Sequence, residues 1–452
     1  MIKAFYFICA DGFLLRFGRS LTLLVFIFAA VSVIARYDVQ ANDNWPQWRG
    51  PALDNRSDAV NVPIEFGMDK NLAWRFEMPG SGGASPIVWN DRVFITSVDG
   101  DDRIWLFCIA TTGDELWRRQ LEGKNTNSRD NANSASPSPC TDGTHVWANS
   151  TAGFLECFDF SGDRKWVVDL QKEYGRFDIQ FGMTSTPILH KGVLYLQLIH
   201  GSMRDSEPSL GYVVAIDAAN GKQIWMQERR TDGTRENKHS YASPIIYRDG
   251  AHEFLVTHGG DYAIGHSLED GSEIWRCGGL NPPGRGYNPF LRFVASPVFA
   301  DGMLIVPSAK NGPVLCLNTS LSDNVTDKED AFFWKMPDGT PDVSTPLVAN
   351  GLVFLTRETG ALTVAKADNG EVTYSARLFA GNHRSSPVYA EGRVYVADRN
   401  GKILVFSAEA EPKLLATNDL NEETTASPAI VNGRVYIRTF DALYAFEHGS
   451  QE

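Results

Sequence analysis

A tripeptide made of a small residue, serine or threonine, and proline occurs eight times in this chain. The copies are Ala84-Ser85-Pro86, Ala135-Ser136-Pro137, Ser185-Thr186-Pro187, Ala242-Ser243-Pro244, Ala295-Ser296-Pro297, Ser344-Thr345-Pro346, Ser385-Ser386-Pro387 and Ala426-Ser427-Pro428. Their prolines are 51, 50, 57, 53, 49, 41 and 41 residues apart. A unit of that size cannot bury its own apolar face and must stack on copies of itself, either in a row or around an axis.

The fourth unit shows what is repeated. Apolar runs at 244–247, 253–257, 262–265 and 273–275 are separated by Asp249-Gly250, Gly259-Gly260 and Asp270-Gly271. Four short strands joined by glycine turns make one propeller blade. The proline opens the first strand, where no backbone donor is needed. A second period runs in phase with the first. Gly-x-x-x-Trp occurs at Gly113–Trp117, Gly162–Trp166, Gly221–Trp225 and Gly271–Trp275, with Tyr374 after Gly370 and Trp334 after a longer loop. Rings at one fixed blade position are expected to pack between blades rather than to stack on a ligand. The eighth unit holds only three strands before the chain stops, and 72–76 supplies a fourth. The expectation is an all-β, eight-bladed propeller closed by its N-terminal strand, which leaves no open sheet edge at the seam.

These residues also carry a family resemblance. Ala215, Asp217, Gly221 and Trp225 fit the blade motif Ala-x-Asp-x-x-x-Gly-x-x-x-Trp of quinoprotein-type (PQQ-like) propellers, and other blades fit it in part. The stretch Asn44-Trp45-Pro46-Gln47-Trp48-Arg49-Gly50-Pro51 resembles the segment that leads into that fold. The superfamily includes cofactor enzymes and cofactor-free scaffolds, among them the scaffold of the outer-membrane β-barrel assembly machinery. The resemblance therefore implies a fold and leaves activity to be argued from the site.

The chain divides into residues 1–41, a signal peptide or N-terminal anchor, 42–70, a lead-in segment, 71–447, the propeller, and 448–452, a tail. Arg16 and Arg19 precede an apolar run at 21–34, and Val39-Gln40-Ala41 is a cleavage site of the right type. The expected location is periplasmic or extracellular, with 21–34 as a membrane anchor if it stays attached. Net charge is −13, and −15 without residues 1–41. Neither nucleic acid nor an anionic membrane surface suits so acidic a chain. Envelope proteins or peptides are the expected partners. Cys108, Cys140, Cys157, Cys277 and Cys316 form no C-x-x-C and read as small buried hydrophobes. The loops at 203–210 and 319–331 read as polar and exposed.

Segments just before each Ser/Thr-Pro should gather around one mouth of the central channel. They are polar: Asn131 and Asn133; Arg176, Asp178 and Gln180; Asn237, Lys238 and His239; Arg285, Asn288 and Arg292; Asp342; Asn382, His383 and Arg384; and 422–424. Arg292, His239, Asp342, His383 and Arg384 are the candidate ligand contacts, and the basic ones suit a carboxylate. No catalytic residue and no metal ligand is assigned, and no cofactor is expected. The alternative is a PQQ- and calcium-dependent alcohol or sugar dehydrogenase. The resemblance implies a calcium held by glutamate and asparagine with an aspartate base, and no such set can be placed on this sequence. The leading expectation is an exported, cofactor-free assembly or protein-binding scaffold.

Overall fold

The computed structural model describes residues 44–126, 133–204, 209–250, 252–281, 286–318, 320, 322–378 and 383–449. Residues 1–41, with the expected leader or anchor, lie outside them, as do Asn131, Arg285 and Asn382.

Eight antiparallel sheets follow one another along the chain. Blade 1 is Ile87–Trp89, Arg92–Val98, Ile104–Ala110 and Glu115–Gln120, and blades 2 to 7 repeat that order. Blade 8 takes Ala429–Val431, Arg434–Arg438 and Ala442–Phe446 from the end of the chain and Leu72–Glu77 from its beginning. In that pairing Trp74 faces Ala445 and Glu77 faces Ala442. The first strand of each blade lies innermost, beside the first strands of its neighbours.

Glycine and tryptophan interlock adjacent blades. The Trp117 indole donates to the Phe160 carbonyl of blade 2 at 2.9 Å, Trp166 to Ala218 of blade 3 at 3.1 Å, and Trp225 to Leu268 of blade 4 at 3.0 Å. Trp334 reaches Ala367 of blade 6 at 2.7 Å, and Trp74 of blade 8 reaches Thr111 of blade 1 at 2.8 Å. The motif glycine of the receiving blade lies flat on the ring. A Cβ on Gly113, Gly162, Gly221, Gly271 or Gly370 would fall 2.6–2.9 Å from that ring. The motif therefore spans a joint: its glycine receives the preceding blade's ring, and its tryptophan enters the following blade.

The joint between blades 4 and 5 departs from this pattern. Blade 5 has no motif glycine, and Trp275 turns back onto Gly265 of its own blade with its Nε1 unbonded. Part of the expected exposed loop fills the gap. Asp323–Asn324 pairs in parallel with Trp275 and Arg276, and Val325 and Ala331 are fully buried. That loop is thus partly structural, because its apolar residues cover the unpaired edge of blade 4.

The lead-in segment is a strap across the base of the ring. Trp45 exchanges backbone hydrogen bonds with Val88 of blade 1, and the Pro46 carbonyl accepts from Thr141 of blade 2. The Gln47 side chain accepts from Leu189 of blade 3, and Arg49 donates to Pro297 of blade 5 at 2.8 Å. Arg56 and Ser57 then pair in parallel with Tyr389 and Ala390 of blade 7, and the Ser57 hydroxyl reaches Ile430 of blade 8. All five cysteines at 108, 140, 157, 277 and 316 are buried free thiols.

Candidate functional site

Each innermost strand runs from the channel mouth towards the strap, so equivalent residues of the eight blades form layers around the axis. The mouth layer is Gly83, Ser136, Thr184, Tyr241, Val294, Val343, Arg384 and Thr425. Two residues deeper lies a layer of hydroxyls: Ser85, Ser138, Thr186, Ser243, Ser296, Thr345, Ser386 and Ser427. Trp48 of the strap lines the same space. The channel is therefore a blind well with Trp48 at its floor.

The hydroxyls close into a complete ring. The backbone N–H of Ser85 donates to Ser138 Oγ at 2.9 Å, Ser138 to Thr186 at 3.2 Å, Thr186 to Ser243 at 2.9 Å and Ser243 to Ser296 at 2.9 Å. Ser296 donates to Thr345 at 3.0 Å, Thr345 to Ser386 at 3.0 Å, Ser386 to Ser427 at 2.8 Å and Ser427 to Ser85 at 3.0 Å. This is why serine or threonine recurs before the proline. It also corrects one register. Blade 2 reads Ser136-Pro137-Ser138-Pro139, and the ring uses Ser138 rather than the Ser136 of the expected tripeptide. Ser136 stands one layer higher, its hydroxyl bonded to the Asn133 carbonyl at 2.7 Å.

Above the ring, Arg292 and Arg384 line a mouth cavity of about 180 Å³ together with Phe181, Tyr241, Val294 and Val343. Arg292 lies between two carboxylates, Nε 3.4 Å from Glu236 and Nη2 3.4 Å from Asp342. These are ion pairs beyond good hydrogen-bond length. The guanidinium also lies 5.9 Å from the Phe181 ring. Asp342 Oδ1 is buried with no hydrogen bond. Behind it, burial raises the Glu358 carboxyl above its usual range, and the charge of Asp342 adds to the rise. The Tyr241 hydroxyl is buried near the amides of Phe181 and Gln180 and completes no well-formed hydrogen bond. Burial raises its phenol.

The five candidate contacts therefore divide. Arg292 and Arg384 line the mouth, and Asp342 holds Arg292 from behind. The two histidines stand elsewhere. His239 is 1 % exposed and its Nε2 bonds the Gly201 carbonyl at 2.9 Å. His383 is fully buried, and burial pulls its imidazole down to about 4. Neither lines the well. Polarity in the loops marked them, but loop polarity does not say which side chain turns towards the axis. Tyr241, Phe181 and Trp48 do line it. A signal for Tyr241 was available, since it stands directly before the fourth Ala-Ser-Pro.

The strap adds a cation beneath the floor. Arg49 is 1 % exposed, its Nε and Nη2 have no hydrogen-bond partner, and its guanidinium lies 5.5 Å from the Trp48 ring. Burial pulls it down to about 10 against the opposing pull of Asp54.

A quinone and calcium can be tested against this donor set. Calcium requires several oxygens free to converge. The carboxylates nearest the mouth, Glu236 and Asp342, converge on a guanidinium instead. Among the described residues no three His, Cys, Asp or Glu come together as a metal site. Around the mouth, the acidic donors that such a pair would use are engaged by Arg292.

Comparison with known proteins agrees with this architecture. A solved relative in fold is BamB from Moraxella catarrhalis, 12 % identical, with a TM-score of 0.60 over 84 % of this chain and 98 % of that one. Another is the quinohemoprotein alcohol dehydrogenase of Comamonas testosteroni, 13 % identical, with a TM-score of 0.65 over 92 % of this chain and 82 % of that one. In sequence, a polyvinylalcohol dehydrogenase from a Pseudomonas species is 24 % identical over 198 residues, which is 42 % of this chain and 29 % of that protein. The chain thus spans less than a third of that relative. The model of one family matches at 67–258, 110–373 and 260–452, so that nearly all of the propeller is covered. With its eight blades, its strap and that match, the chain belongs to the family described as outer membrane protein assembly factor BamB.

Proposed function

We propose that this protein is an exported PQQ-like propeller that acts as a protein-binding or assembly scaffold in the cell envelope. The observation that carries the reading is Arg292 held between Glu236 and Asp342. Both carboxylates beside Arg292 are thereby paired with a guanidinium rather than free to hold a divalent cation. A ring closed by eight amide–hydroxyl bonds and a strap suits a rigid platform, because partner loops can dock without reordering it. Export is argued from residues 1–41, and family membership is consistent with it. Periplasmic or extracellular placement, with or without an anchor at 21–34, is part of the same proposal. Among the described residues no helix is long and apolar enough to cross a membrane.

The second reading, a PQQ- and calcium-dependent alcohol or sugar dehydrogenase, is favoured by the likeness to two dehydrogenases. One experiment separates them. Full-length protein is titrated with pyrroloquinoline quinone and calcium by calorimetry, and dye-coupled oxidation of alcohols and sugars is then assayed. The scaffold reading expects no binding at tens of micromolar and no dye reduction, with envelope proteins recovered by in-cell crosslinking. Stoichiometric binding with substrate-dependent dye reduction would reverse the assignment.

A further inference from the structure

We infer that the blind well is a binding site for a single carboxylate carried on a short stem. The argument is a count of unused hydrogen-bond capacity. Each hydroxyl of the ring has one proton and two lone pairs. One lone pair accepts the amide of the neighbouring blade, and none of the eight hydroxyls donates to an acceptor among the described residues. Eight O–H donors therefore surround one axis. Arg292 adds more, since it is held by two ion pairs at 3.4 Å and makes no hydrogen bond among the described residues.

The charges point the same way. The buried Arg49 guanidinium stands against the Trp48 floor with two nitrogens unbonded. A cation in the well would meet that charge at its base and the two arginines at its mouth, whereas an oxyanion meets the hydroxyl layer and the arginines. Glu236 and Asp342 pair with Arg292 and outweigh its charge, but neither lines the cavity, so the guanidinium is the group the cavity meets. A mouth of about 180 Å³, lined by Val294, Val343, Phe181 and Tyr241 beside the arginines, gives a short apolar stem a wall to pack on. Two sources carry such a group, a small free organic acid and the C-terminal carboxylate of an extended peptide. The scaffold reading favours the peptide, and only the choice of source rests on that reading.

The test uses full-length protein at constant ionic strength. Acetate, acetamide and a short peptide with a free or an amidated C-terminus are titrated by calorimetry, and tryptophan fluorescence is followed in parallel. Acetate is expected to bind and acetamide to fail. The fluorescence change should vanish in Trp48→Phe. Arg292→Gln should weaken binding by about tenfold or more, a loss of roughly 1.4 kcal/mol. Val294→Asp, which places a fixed carboxylate in the mouth, should abolish it, and this variant leaves the Arg292 ion pairs in place. A free-acid peptide binding far tighter than both acetate and its amide assigns the site to chain termini. Equal affinity for acetate and peptide keeps the site and assigns it to a small acid. The inference is overturned if neither acetate nor peptide binds in the millimolar range, or if Arg292→Gln and Val294→Asp both bind as the parent does. Envelope crosslinking reads the scaffold proposal independently, so either can fail alone.

Discussion

The backbone N–H of Ser427 donates to the hydroxyl of Ser85, 342 positions earlier, at 3.0 Å. That single bond joins the last blade to the first and completes the channel ring. The pairing of Leu72–Glu77 with Ala442–Phe446 closes blade 8, and the bonds of Arg438 to Gly80 and Ser97 hold the same two blades together.

Removing an acceptor from the ring leaves a buried amide unsatisfied. Ser85→Ala should cost about 1–3 kcal/mol in urea unfolding, the usual penalty for an orphaned buried donor. Ser85→Thr should cost much less, because Thr186 and Thr345 fill the same role elsewhere. Equal losses in the two variants would mean that the ring bond itself contributes nothing.

The glycine–tryptophan joint predicts a contrast between two glycines of similar backbone. Gly221 has φ +73° and a Cβ there would stand 2.8 Å from the Trp166 ring, whereas Gly192 has φ +78° and open space around it. Gly192→Ala should cost about 1 kcal/mol for the left-handed backbone alone. Gly221→Ala should cost that and a further ~1–3 kcal/mol of overpacking. Thermal denaturation of the pair checks it.

The cysteines should be silent in the native protein. Burial pushes the Cys108, Cys157, Cys277 and Cys316 thiols up to about 12 and raises Cys140 as well. Thiolate is the reactive form, so a thiol reagent at pH 8 should find none of these five quickly, and all of them once the protein is unfolded. Fast labelling of any one would place it at a surface.

Acid should weaken the fold before the carboxylates titrate. Burial lowers His200, His266 and His383 to about 4 and His258 to about 3, with Arg229 adding repulsion at His258 and His266. These side chains are neutral in the fold and take up protons near pH 6.5 when unfolded. Their stabilisation is complete above about pH 6.5 and is lost as pH falls through 4. Buried Asp54, Glu156, Asp261 and Glu358 are shifted upward and act in the opposite sense, by smaller shifts. The urea midpoint should therefore fall between pH 6.5 and 4, and His383→Gln should flatten that slope by about one proton. A midpoint independent of pH over that range would contradict the burial of these rings.

Much of this protein was legible without coordinates. Blade number, strand order, the glycine turns and closure by 72–76 all follow from local patterns, because strand alternation and turn chemistry are set within a few residues. The Gly-x-x-x-Trp period was equally plain, though the motif does not say that its two ends enter different joints. The blade 5 loop is mostly exposed, as read, and its two buried residues, Val325 and Ala331, are too isolated to form a pattern. They are buried because the loop pairs with the edge of blade 4 and packs into the core between blades 4 and 5.

The sequence by itself determined an eight-bladed ring and placed polar segments at one mouth of it. Tertiary structure alone decided which side chains face the axis. It chose Ser138 over Ser136 in the doubled Ser-Pro of blade 2, because only one register lets the amide of Ser85 meet a hydroxyl. It buried His239 and His383 away from the well and left Arg292 and Arg384 on the wall, and it laid Trp48 across the base. The physical reason is distance along the chain. Side-chain direction in the well depends on residues from eight blades and a strap, and no local pattern carries that information.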